Sequence, residues 1–189
     1  MDHRPDYSEK KFGQLLLYVA GKMEGDSTFG ATKLNKVLFF SDFLFFGTHG
    51  VPITGATYQR LPHGPAPREL LPVRDALEGA GDAVVRTVTY LGRPQKRLLP
   101  LRSANVNVFN PEELELVDEV IEALWEKTAT QVSTTSHILS VGWRVAHEME
   151  VIPYETIFLS QEPISEAEMR RGLELAHEFG LVVASASDG

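Results

Sequence analysis

The sequence predicts a mainly α fold with a small antiparallel β-hairpin/sheet (α+β), and three patterns carry that prediction. Phe12, Leu15, Leu16, Val19 and Met23 recur at helical spacing, as do Leu114, Val117, Ile121 and Leu124. Five phenylalanines fall between Phe39 and Phe46. A segment apolar on every side belongs inside a helical core. The stretch DAVVRTVTYLGRPQKRLLPL alternates β-branched with polar residues around Gly92-Arg93-Pro94, the pattern of a hairpin.

In chain order, the first amphipathic helix stops near Gly25, and the second runs from about Ala31 to Thr48. Gly47, Gly50, Pro52 and Gly55 break that pattern. A loop then carries the chain through Tyr58 to Gly64-Pro65, where a helix with Leu70, Leu71, Val73 and Leu77 is expected to begin and to end at Gly79 or Gly81. Strands are expected near Ala83–Leu91 and Gln95–Leu101, with Pro100 marking an end or an edge. Asn110 can cap a helix that starts at Pro111. Residues 130–148 are rich in Ser and Thr, whose side chains compete for backbone hydrogen bonds, so a short helix, a turn near Gly142 and another helix are expected. Pro153 starts a helical turn through Tyr154, Ile157 and Leu159. Ser165 with Glu168 forms a capping box for a last helix ending at Gly180. The expectation is a single domain over residues 1–189, with a core at 7–160, a C-terminal helix at 161–180 and a mobile tail at 181–189.

At 189 residues and 43% hydrophobic content the chain can bury one sizeable core. Its formal net charge of -8 disfavours nonspecific binding to nucleic acid or anionic membrane, and suits a basic partner. With zero cysteines there is no disulfide framework, no iron–sulfur ligation and no thiol catalysis. The first residues, MDHRPDYSEKKFGQ, lack the apolar core of a signal peptide, and no apolar run approaches about 18 residues. A cytoplasmic protein that does not engage the membrane is expected.

Most chemical signatures fail. GDSTFGAT, residues 25–32, nearly matches a phosphate-binding loop, but Ala31 stands where the lysine is needed and a helix precedes it in place of a strand. The six histidines show no HExxH or other paired spacing, so no metal site is expected. There is no GxSxG elbow, and Ser136 and His137, as helix neighbours, point about 100° apart. No catalytic residue and no cofactor is expected, and the chain reads as a non-enzyme.

Asp42, set among phenylalanines, must pair with a cation or a hydroxyl or else face a solvated groove. Tyr58 and His63 flank the approach to Gly64-Pro65 and can form a recognition surface, although a tyrosine that anchors a loop by its hydroxyl is the commoner case. His137 and Trp143 fit a packed pair with satisfied ring nitrogens.

The order KLNKVLFF with Lys33, Leu34 and Lys36, then Tyr58 and Gly64-Pro65 with Leu70, then Ser133, Ser136-His137 and Trp143, then Ile152-Pro153-Tyr154, resembles the Panacea domain, also described as the SocA-like antitoxin domain. The resemblance spans roughly residues 7–159. It implies a mostly helical domain with a small β element that serves as the antitoxin of a toxin–antitoxin pair. The partner it implies is a cognate protein toxin, encoded by an adjacent gene and bound directly. A protease and the DNA of the protein's own operon are further partners it admits, and a homo-oligomer is compatible with it. The contact surface expected is the Tyr58–Pro65 loop, with Tyr58, His63, Gly64 and Pro65, together with the nearby hairpin at Arg93. Lys33, Leu34, Lys36, Ser136, His137, Trp143 and Tyr154 are expected to be structural.

The alternative is a winged-helix DNA-binding regulator that uses the 83–101 hairpin as its wing. Arg86, Arg93, Lys96, Arg97 and Arg102 would supply phosphate contacts. Against it, Glu69, Asp75 and Glu78 crowd the preceding helix.

Overall fold

The computed structural model describes residues 6–159 and 165–179. The chain divides into two compact units, Met1–Leu159 and Ser160–Gly189. The first contains α1 (Glu9–Lys22), α2 (Ala31–His49), the strands β1 (Tyr58–Leu61) and β2 (Gly64–Pro67), and α3 (Leu70–Gly79). It continues with β3 (Ala83–Tyr90), β4 (Arg93–Pro100), α4 (Pro111–Leu124), α5 (Ala129–Leu139) and the short α6 (Val141–Val145). The second holds α7 (Glu166–Glu178), capped as expected by a Ser165–Glu168 box. The expected end at Gly180 and the tail at 181–189 lie outside the described residues. The fold is mainly helical with two small antiparallel two-stranded sheets, β1–β2 and β3–β4. Among the described residues no helix is long and apolar enough to cross a membrane.

The centre of the larger unit is α2, against which α1, α4, α5, β2 and a 3-10 turn at Tyr154–Phe158 all pack. Its all-round apolar character explains this arrangement: Val37, Leu38, Phe39, Phe40, Phe43 and Phe45 are all buried. Each fully buried side chain of this size contributes about 1.5–3 kcal/mol. Around it, α4 starts as its sequence dictates. Asn110 accepts from Glu113 N at 2.8 Å, Glu113 accepts in return from Asn110 N at 3.0 Å, and Pro111 occupies the first turn.

The structure corrects three expectations. The helix expected from Pro65 begins at Leu70, and residues 64–67 form β2 instead. The physical reason lies in the sequence GPAP: each residue before a proline is pushed out of the helical region, so two prolines in alternation hold the backbone extended. In the β3–β4 hairpin the turn is Leu91-Gly92, with φ of 46° and 74°, one residue ahead of the Gly-Arg-Pro reading. That pair of positive φ values suits the twist of a two-residue hairpin turn. Finally, the turn expected near Gly142 falls at Ser140, which ends α5 and caps α6 by accepting from Trp143 N at 3.1 Å.

Two polar anchors tie loops to α2. Lys33 Nζ meets Asp26 Oδ2 at 2.5 Å with both side chains fully buried, and it also donates to Thr28 Oγ1. Burial pushes the Asp26 carboxyl up, but hydrogen bonds from Lys33 and Thr28 outweigh it and hold the group below the usual carboxylate range. The same carboxylate accepts from Thr28 N and Glu126 N, so the loop before α2 and the link after α4 share one ion pair. Further along α2, Asp42 accepts from Thr54 N, Thr54 Oγ1 and the Tyr58 hydroxyl at 2.7, 2.6 and 2.8 Å. Burial pushes its pKa up to about 6 in spite of those three donors.

Removing one member of the Asp26–Lys33 pair leaves the other charge buried alone. Lys33→Met is expected to lower the unfolding free energy by about 3–5 kcal/mol in urea titrations. Adding Asp26→Asn to that variant is expected to restore more than half of the loss.

Candidate functional site

The β1–β2 hairpin projects its turn, Pro62-His63, into solvent. On its other edge β1 pairs with residues 149–152: Arg60 N donates to Glu150 O, Met149 N to Arg60 O and Ile152 N to Tyr58 O, each at 2.9 Å. A short strand bonded along both edges is a stiff element, and three groups fix it further.

The first group is aromatic. Tyr58 is 1% exposed, and the rings of Phe39, Phe43 and Tyr154 meet it edge-on at 5.6, 5.4 and 6.0 Å. Tyr58 therefore belongs to the core and offers no surface to a partner, with its hydroxyl held by Asp42. Tyr154 is likewise buried and donates to Ala56 O at 2.7 Å.

The second is Lys36, whose ammonium rises from α2 beneath the hairpin. It is 1% exposed and donates to Pro65 O at 2.9 Å, and no carboxylate among the described residues pairs with it. Burial pushes its pKa down to about 7. Gly64 lies directly against it with φ of 100°. A Cβ at Gly64 would come within 2.6 Å of Ser136 Oγ and 2.7 Å of Lys36 Nζ, so no side chain fits.

The third comes from α5 and α6. Ser133 Oγ donates to His63 O at 2.9 Å, and buried Ser136 donates to Ser133 O at 2.8 Å. Trp143 Nε1 donates to Leu61 O at 3.0 Å. The His137 ring stacks on the indole at 3.7 Å with the planes 5° apart. Arg60 places its guanidinium 4.7 Å from the same ring and donates through Nε to Trp143 O at 3.1 Å. Burial pushes the His137 imidazole below its ordinary range, and the charges that add to this, Lys36, Arg60 and His63, are all positive.

Of the residues singled out in the sequence, Lys36, His63, Gly64, Pro65, Ser136, His137 and Trp143 come together here. Leu34 sits in the core, and Lys33 serves the separate anchor with Asp26. Arg93 is on the other hairpin, where with Lys96 and Tyr90 it lines a groove beside the first turns of α2 and α5. Of the remaining basic residues around that hairpin, Arg97 donates to the carbonyls of Glu24 and Asp26, and Arg102 pairs with Asp82 at 2.8 Å, so both are structural. Sequence reasoning missed Arg60, whose partners lie some eighty residues away. It also passed over Asp26, although the Asp-x-Thr spacing of a side-chain-closed turn was available as a signal. Among the described residues no group of three or more His, Asp or Glu converges to hold a metal.

The fold and the site define a helical domain that holds a short β-hairpin rigidly on a buried helix. A family model described as antitoxin SocA-like, Panacea domain, matches residues 34–144, more than half of the chain. The chain belongs to that family. The match contains the whole hairpin and its supports at Lys36, Ser136, His137 and Trp143, and leaves Lys33 and Tyr154 outside. No curated protein and no solved structure matches the chain.

Two outcomes follow from Lys36 and Gly64. Gly64→Ala meets both a positive φ and occupied space, and is expected to cost more than about 2 kcal/mol in urea unfolding. Gly50→Ala, with φ of 74° but nothing within 4 Å, is expected to cost less than half as much. Lys36 releases its proton near pH 7 in the folded chain against an ordinary value of 10.5. Between those values the unfolded chain binds more protons, so stability rises with pH, and below pH 7 the penalty is full and constant. The slope for this one group approaches about 1.4 kcal/mol per pH unit. Unfolding free energies at pH 7.5 and 9.5 are expected to differ by about 2.5 kcal/mol more in the wild type than in Lys36→Met.

Proposed function

We propose that this protein is the antitoxin of a toxin–antitoxin pair and neutralises a cognate toxin by direct contact, acting by binding and not by catalysis. The observation that supports the reading is that seven of the residues singled out in the sequence, Lys36, His63, Gly64, Pro65, Ser136, His137 and Trp143, lie within the family's matched region and meet at one braced hairpin. A rigid element with an exposed tip loses little conformational freedom on binding, which is what a tight inhibitor needs. The toxin is the product of an adjacent gene, and both act in the cytoplasm. The acidic balance of the chain favours the approach of a partner that is basic overall and speeds association. The regulator reading has less support, because two of its five basic residues are engaged within the fold and Arg74 on α3 pairs with Asp75 and Glu78.

Expression of the adjacent open reading frame alone is expected to arrest growth. Co-expression with this protein is expected to relieve the arrest and to yield a complex that co-purifies. A harmless neighbour, or relief of toxicity without any complex, would count against direct neutralisation.

A further inference from the structure

Arg60 gives the hairpin face a positive charge that no carboxylate among the described residues pairs with. Arg60 commits its Nε to Trp143 O, and its two terminal nitrogens have no hydrogen-bond partner among the described residues. No carboxylate among those residues forms an ion pair with Arg60, His63 or His137. The nearest candidate by connectivity, Glu150, gives its backbone carbonyl to Arg60 N and its carboxylate to His147 N at 2.5 Å. A half-buried guanidinium with free donors and a fixed aromatic neighbour is poised for a planar anion, because its stem and plane are already immobilised.

We propose that the face formed by Arg60, His63, His137 and Trp143 is the docking site for a short acidic segment of the partner protein, with a carboxylate seated on the Arg60 guanidinium beside the indole. This rests on the reading of the protein as one that neutralises by binding, and names the chemistry that its partner must present there. Charge complementarity selects the occupant. The patch is local on a chain of net charge -8, so a long polyanion would run from it onto repelling surface, whereas a few carboxylates on a partner of either net sign would not. Arginine and tryptophan are also the residue types that most often dominate binding energy at protein interfaces.

The probe is a hexaglutamate peptide, titrated at low salt into the isotopically labelled full-length chain, with hexaserine as the neutral control. Hexaglutamate is expected to shift the Trp143 indole N–H and the amides of His63 and His137, while hexaserine shifts none of them. Arg60→Gln is expected to weaken the binding at least tenfold. His63→Glu, which alters an exposed side chain that makes no hydrogen bond among the described residues, is expected to weaken it at least fivefold. Glu119→Gln on the exposed side of α4 is expected to change it less than twofold. Absence of shifts at the hairpin, or equal binding by wild type and both hairpin variants, would overturn the proposal. Tighter binding of a single-stranded hexanucleotide at the same residues would overturn the assignment to a polypeptide. A chain that binds hexaglutamate but protects no cell from the neighbouring gene product would sink the antitoxin reading and leave the docking face. Protection without hairpin binding of the peptide would do the reverse.

Discussion

The structure depends on one constraint: α2 is enclosed by its neighbours, yet it carries Lys33, Lys36 and Asp42 on its buried surface. An ionisable group taken out of water is costly unless a partner comes to it, and each of the three is met by a different segment of the chain. Lys33 holds the 25–29 turn through Asp26, Asp42 holds the 53–58 loop through Thr54 and Tyr58, and Lys36 holds β2 through Pro65 O. The helix is therefore both the apolar core of the domain and the post to which its irregular segments are tied.

These three fastenings differ in quality, and the difference bears on function. Asp26–Lys33 is a full ion pair with further donors, and Asp42 has three. Lys36 has one carbonyl and, among the described residues, no countercharge, and burial drives its pKa down to about 7. The least satisfied group of the three lies under the hairpin proposed as the binding element. The hairpin nevertheless stays in place, since β1 is bonded along both edges and Trp143, Ser133 and Tyr58 each fix a separate point of it.

Elements whose cause is local could be read from the residues. The Asn110-Pro111 start of α4, the Ser165–Glu168 box and the alternating strands of β3 and β4 each follow from chemistry within a few positions, and the structure shows them. The β2 strand also has a local cause in GPAP, but a proline suits a first helical turn equally well, so Gly-Pro alone does not separate the two. What could not be read is long-range. Arg60 gains its meaning from Trp143, and Lys33 from a carboxylate in a turn whose sequence resembles a phosphate loop. Tyr58 shows the same ambiguity from the other side. A tyrosine beside a glycine-rich loop suits a surface as well as a core, and only the position of Asp42 one helix away decides for the core.

The central claim, that the braced hairpin is where the partner binds, is tested most directly by hydrogen exchange of the complex with the adjacent gene's product against the free chain. The account predicts that added protection falls on residues 58–65 and 133–144. Protection confined to β3–β4 around Arg93, with the β1–β2 hairpin exchanging as in the free chain, would contradict it.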